Sequence, residues 1–183
     1  MRIHTIGHSH RSPVELIEML QNQGIGCLVD IRRHPSSRRF PQFNSATLQE
    51  SLLQAGIRYY WEGWDLGGLR ISTPNDERHS ALKDGFRAFA SHMETSTFRL
   101  AIDRLLKYAC MRRTVLLCAE REPAYCHRSL IADFLTVRDY DVRHLVDRGE
   151  YYRHELHPEA RVERHHLVYD GVMGHLMPQP LFA

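Results

Sequence analysis

The chain has no apolar run long enough to cross a bilayer, and its opening, Met1-Arg2-Ile3-His4-Thr5-Ile6-Gly7-His8, is broken by polar residues where a secretory leader is continuously apolar. No membrane partner and a cytoplasmic residence are expected. Cysteine is scarce as well. Cys27, Cys110, Cys118 and Cys126 stand in a chain of 183 residues that can fold without covalent staples, so they read as thiols or metal ligands before disulfides. Neither sign of charge dominates: 24 Lys and Arg against 22 Asp and Glu leave +2, too little to imply nucleic-acid binding unless cations cluster locally. There is no internal repeat and no low-complexity tract. The balance of 43% hydrophobic and 25% charged residues is that of a globular chain and speaks against disorder. What is abundant is histidine: thirteen of them can raise the charge steeply below about pH 6.5, and most read as surface residues.

Arg2 to Ile6 reads as a strand, and Ser12-Pro13-Val14-Glu15 opens a helix with a capping box and proline at its first position. Gly24 stops it. Cys27-Leu28-Val29 is then a continuously apolar strand ending in Asp30-Ile31-Arg32, completing a β-α-β unit. After a polar loop from Arg32 to Phe43, Leu48, Leu52 and Leu53 mark a second helix that Gly56 ends, and Ile57 to Trp61 form a third strand. Glu62 to Lys83, with Gly63, Gly67, Gly68 and Pro74, reads as a long loop. A helix through Phe98, Ile102 and Leu105, a strand Thr114–Cys118, a helix through Leu130, Ile131 and Phe134, and a strand from Val142 to Val146 follow. The class is α/β: one domain over residues 1–146, a mainly parallel sheet of about five strands with helices on both faces, and a C-terminal extension, 147–183, packing on it. Histidines 154, 157, 165, 166 and 175 in that extension read as solvated or as partner contacts.

In such a sheet the loops after the strands converge. They bring together Gly7, His8 and Ser9; Asp30, Arg32, Ser36, Ser37 and Arg38; and Cys118, Glu120, Cys126, His127 and Arg128. The stretch Cys118-Ala-Glu-Arg-Glu-Pro-Ala-Tyr-Cys-His-Arg-Ser129 runs from a buried strand into a helix start, where free N–H groups and the Arg128 fork suit a phosphate or carboxylate. A thiol beside that terminus and His127 has its thiolate favoured, which makes Cys126 the reactive candidate. The plainer reading is that Cys118 and Cys126 are small buried hydrophobes and Ser129 only a cap. A zinc site from Cys118, Cys126, His127 and His8 is a further alternative, but structural sites begin with cysteines two to four residues apart, so no metal is expected. Arg32-Arg33-His34-Pro-Ser-Ser-Arg38-Arg39-Phe40-Pro-Gln-Phe43 interleaves cations with rings as a single-stranded nucleic-acid groove does, and Tyr59, Tyr60, Trp61 and Trp64 can extend it. Against this, the arginines can pair with Asp30 and Glu120 while the rings fill the core.

Thr5-Ile-Gly-His-Ser9, Leu28-Val-Asp-Ile-Arg32, Leu66-Gly-Gly68, Phe86-Arg87, Leu117-Cys-Ala-Glu120 and Cys126-His-Arg-Ser129, in this order, resemble the family catalogued as domain of unknown function 488. The resemblance implies an α/β domain with these residues around one pocket and brings no reaction with it. A second similarity, to rhodanese and cysteine-phosphatase domains, rests on Leu28 to Arg32 and on Cys118 followed by Arg128-Ser129. The sequence departs from that pattern in a longer, glycine-free loop between Cys118 and Arg128.

These readings converge on a cationic, thiol-containing strand-end pocket. The expected function is a cysteine-dependent hydrolase or transferase, with no cofactor, acting on an anionic small molecule, nucleotide or nucleic acid. Cys118 or Cys126 is the nucleophile, Glu120, His8 or His127 moves protons, and Gly7, Ser9, Asp30, Arg32, Ser37, Arg38, Arg128 and Ser129 hold the ligand. The alternatives are a non-catalytic nucleic-acid-binding protein and a structural Cys/His metal site.

Overall fold

Thr114 to Cys118 carries no charged side chain because it is buried at every position in the middle of the sheet. In the computed structural model, which describes residues 1–163 and 166–172, this strand is β4. It lies between β1 (Arg2–Gly7) and β2 (Cys27–Asp30), with β3 (Arg58–Trp61) and β5 (Asp141–Asp147) outside them, all parallel, in the order β3-β2-β4-β1-β5-β6. The sixth strand, β6 (Glu150–Arg153), pairs antiparallel with β5, so the sheet has one strand more than the sequence pattern counts.

Alternation along β4 sends successive side chains into two separate cores. Val115 and Leu117 join Leu28 and Ile6 under α1 (Pro13–Asn22) and α2 (Ser45–Gln54), through Leu16, Leu20, Leu48 and Leu52. Leu116 joins Ile3 and Val29 under α4 (Asp84–Met93), α5 (Ser96–Met111) and α6 (Arg128–Thr136), through Phe89, Phe98, Ile102, Leu105 and Ile131. Helices on both faces are what makes a continuously apolar strand stable. The Ser12 side chain accepts a hydrogen bond from the Glu15 N–H at the start of α1. Gly24, at φ +63°, closes the turn behind it.

The long segment after β3 is more ordered than its glycines imply. It contains the one-turn α3 (Gly63–Leu66) and a 3-10 stretch, Pro74–His79. The ten-residue α4 was not expected at all. Its Phe86, Phe89, Ala90 and Met93 do follow helical spacing, but Gly85 at its second position and the polar residues before it break the pattern.

Beyond β6, β7 (Ala160–Glu163) and β8 (His166–Tyr169) form a separate hairpin. Asp133 of α6, fully buried, holds the extension: it accepts from His154 Nε2 at 2.7 Å, the His157 N–H at 3.0 Å and the Tyr169 hydroxyl at 2.9 Å. His154 Nδ1 meets His144 Nε2 at 2.9 Å, and His144 Nδ1 meets the Thr5 hydroxyl at 2.6 Å. One direction of donation, Thr5 to His144 to His154 to Asp133, satisfies all four with a single proton on each ring. His154 is therefore not a solvated tail residue: burial with Asp133 makes it part of the core. His157 is likewise tied to Asp133 through its backbone, while His165 and His175 lie outside the described residues.

Candidate functional site

Strands β1, β2 and β4 end level with one another, Gly7 opposite Cys118 and Asp30 opposite Leu117. The chain leaving β4 then rides directly on the chain leaving β1. His8 N–H donates to the Cys118 carbonyl at 3.0 Å and Ser9 N–H to that of Ala119 at 2.8 Å. Such contact needs glycine at position 7, where a Cβ would stand 1.7 Å from the Glu120 carbonyl oxygen. Gly7→Ala is therefore expected to cost about 1–3 kcal/mol by forcing the two loops apart, seen as a lower urea midpoint. An unchanged midpoint would mean that the loops do not need this approach.

After Cys118 the chain makes a 3-10 turn, Pro123–Tyr125, and returns to place Cys126 at the entrance of α6. The sulfurs of Cys118 and Cys126 and Nδ1 of His127 lie within 4.8 Å of one another, the single His/Cys/Asp/Glu group of metal-ligating kind among the described residues. His127 Nδ1 is 3.9 Å from the first sulfur and 3.7 Å from the second. The ring fits because Gly68 leaves it room, since a Cβ there would stand 2.5 Å from Nδ1, and it packs edge-on to Phe89. His8 is stacked on Phe43 instead of joining this cluster.

The two thiols are driven apart in acidity. Burial opposes ionisation of Cys126, but the Cys118 S–H, the Arg128 charge and the Arg128 backbone N–H outweigh it and hold Cys126 below the ordinary thiol range. Cys118 is pushed well up, first by its hydrogen bond to Cys126 and then by burial. One proton is thus held on Cys118 and shared toward Cys126. His8, buried, is lowered to about 4 and is neutral at pH 7.

Arg128 is fully buried, and its two terminal nitrogens donate to the backbone carbonyls of Glu120 and Arg121. It fastens the β4–α6 loop and does not line the cavity, so it is not the ligand-binding fork that its position in the sequence implied. The start of α6 is likewise consumed internally: Ser129 donates both its N–H and its hydroxyl to the Cys126 carbonyl, and Leu130 N–H goes to His127. The group next to this helix start is the chain's own Cys126, whose ionised form a helix N-terminus favours.

Arg32 is also committed. Its Nε and Nη2 hold both oxygens of Asp30 at 2.5–3.1 Å, and Nη2 reaches the Phe43 carbonyl at 2.8 Å, while Tyr59 donates to Asp30 at 2.9 Å.

A cavity of about 700 Å³ opens over the thiols. Of the expected residues, His8, Ser9, Arg32, Ser36, Ser37, Cys118, Glu120, Cys126 and His127 line it, whereas Gly7, Asp30, Arg38, Arg128 and Ser129 do not. Further lining residues are the cations Arg33 and Arg39 and the imidazoles of His10 and His34, with Phe40, Phe86 and Tyr125 among them. Arg39 takes the place expected of Arg38 because the loop turns at Ser37, whose hydroxyl accepts from the N–H groups of Arg39 and Phe40. No periodicity distinguishes neighbouring arginines in such a turn. Trp64, Tyr59 and Tyr60 lie outside the cavity lining: Trp64 is stacked under the Arg33 guanidinium at 3.8 Å, Tyr60 stacks on Tyr108 and Tyr59 is spent on Asp30. Only part of the expected aromatic surface is therefore exposed.

A family model described as "Domain of unknown function DUF488" matches residues 12–135. No curated protein and no solved structure matches, and the rhodanese-like resemblance has no counterpart among these comparisons. No helix among the described residues is long and apolar enough to cross a membrane.

Proposed function

The chain belongs to the DUF488 family, whose description names no reaction, and from the site itself we propose a cysteine-dependent hydrolase or transferase acting on an anionic, phosphate-bearing substrate. Cys126 is the nucleophile. Arg33 and Arg39 at the rim attract the anion, His127 exchanges protons beside the sulfurs, and Glu120 is a second proton-transfer group on the cavity wall.

The observation that carries this reading is the cluster of Cys126, Cys118 and His127 on the wall of a cavity rimmed by Arg33 and Arg39. Arg128 is buried, with no carboxylate partner among the described residues, and its charge favours the thiolate form of Cys126. A thiolate held ready in an open, cation-rimmed cavity is more than a small buried hydrophobe requires. A structural metal site is supported by the three-atom cluster alone. His127 Nε2 has no hydrogen-bond partner, where a ligating histidine ordinarily donates its other nitrogen to a carboxylate or carbonyl.

Alkylation by iodoacetamide, followed by peptide mass spectrometry at pH 7, tests the reading. Cys126 is expected to react with an apparent pKa below that of the exposed Cys110, and inorganic phosphate or AMP at constant ionic strength is expected to slow it several-fold. Arg39→Ala should remove most of that protection. A short single-stranded oligonucleotide protecting at far lower concentration, with a steep salt dependence, would identify nucleic acid as the phosphate source. Reaction of Cys126 no faster than Cys110 at any pH, with no effect of phosphate, AMP or oligonucleotide, would overturn the proposal.

A further inference from the structure

Cys118 is not needed as a nucleophile, yet it stands beside one. It ends β4, which has a partner strand on each side, so its backbone is fixed by the sheet. Cys126 arrives from the opposite direction on a loop held by Arg128 at Glu120 and Arg121 and locked into α6 by Ser129. Both sulfurs lie within 4.8 Å of one another and both face the same cavity. A disulfide needs the two sulfurs about 2.05 Å apart, so its formation requires both side chains to turn toward one another from this separation. Cys27 and Cys110 are not in this arrangement: Cys27 is buried within β2, and Cys110 is exposed near the end of α5.

We infer that Cys118 and Cys126 are a redox dithiol that undergoes thiol–disulfide exchange with a low-molecular-weight disulfide entering the cavity. The Cys126 thiolate attacks one sulfur of R–S–S–R, forming a mixed disulfide and expelling RS⁻. Cys118 then gives up its proton, with His127 Nδ1 as the nearest nitrogen acceptor, and attacks the Cys126 sulfur, expelling the second RS⁻. The two protons released by the cysteines end on the two departing thiolates. The balance is two protein thiols and one disulfide giving one protein disulfide and two RSH. The rim arginines that attract a phosphate suit the carboxylates of a peptide disulfide such as oxidised glutathione equally well.

This activity goes beyond the proposed hydrolase or transferase, since it needs both sulfurs and no phosphate. Each sulfur has a distinct part: attack by Cys126, resolution by Cys118.

The full-length protein, freshly reduced, is incubated with oxidised glutathione at pH 7.5 and its intact mass and peptide map are followed. The expected product has lost two hydrogens and yields one cross-linked peptide joining Cys118 to Cys126, reversed by excess reduced glutathione. Cys118→Ser is expected to stop at a glutathione adduct on Cys126, and Cys126→Ser to give neither that adduct nor the cross-link. Wild-type protein that stops at the adduct, or reacts only at Cys110, overturns the inference. The wild-type map decides the matter even where a serine variant folds poorly. Cross-linking without phosphate protection would sink the proposed function alone, and protection without cross-linking would sink this inference alone.

Discussion

Acidification from pH 7 to pH 5 is expected to unfold this protein well above the range in which carboxylates titrate. His4, His8 and His79 are each lowered to about 4, and His144 to about 3, in every case chiefly by burial. All four are at most 4% exposed. A histidine whose folded pKa lies below its unfolded value near 6.5 binds its proton only in the unfolded chain through that interval. Stability is therefore fully present above about pH 6.5 and falls as pH drops toward 4, by roughly 1.4 kcal/mol per pH unit for each group. Four such groups remove on the order of 8 kcal/mol by pH 5, comparable with the whole stability of a typical domain. Urea midpoints measured at pH 7.5, 6.5, 5.5 and 5.0 should fall steeply over the last three. His4→Gln, at a ring whose Nδ1 has no partner, should flatten the curve by about one quarter. A midpoint unchanged between pH 7.5 and 5.5 would show that these rings are not buried neutral.

Asp133→Ala is expected to be the most damaging single change, at about 3–5 kcal/mol. It removes the one carboxylate that receives His154, the His157 N–H and Tyr169, and it leaves these donors buried without an acceptor. The loss should fall most heavily on the extension: in native-state hydrogen exchange the amides of β6 to β8 should lose protection before those of β4. Asp133→Asn, which keeps one acceptor oxygen, should cost less. A melting temperature lowered by only one or two degrees in Asp133→Ala would mean that the network is decorative. Thr5→Val tests the far end, where only one hydroxyl donor to His144 is lost, and a loss of about 1 kcal/mol is expected there.

The apolar strands and the periodicity of Phe98, Ile102 and Leu105 were enough to read an α/β class and the convergence of three strand-end loops, because both follow from local patterning. Cys126, Cys118 and His127 were legible as one cluster for the same reason: a buried strand, a short polar loop and a helix start leave little freedom in where such neighbours lie. Helix α4 was not legible, since Gly85 and the polar residues before it obscure a pattern that packing against Phe98 makes stable. The roles of the charged residues were left open in the sequence, where pairing of the arginines with Asp30 stood as the alternative to ligand binding and Arg32 took it. Arg128, Arg32 and Arg38 look alike in the sequence as cations for a ligand, but the fold buries the first against the Glu120 and Arg121 carbonyls, neutralises the second with Asp30 and leaves the third out of the cavity lining. Histidine was misleading in the same way, with His154 reading as solvated or as a partner contact and lying in the core. Hydrophobic periodicity is a property of neighbours in the chain, so the sequence by itself determined the architecture and the place of the thiols. The state of a charge depends on what lies within a few ångströms of it in space, and for Arg128 and Cys126, or Asp133 and His154, only the tertiary structure decided that.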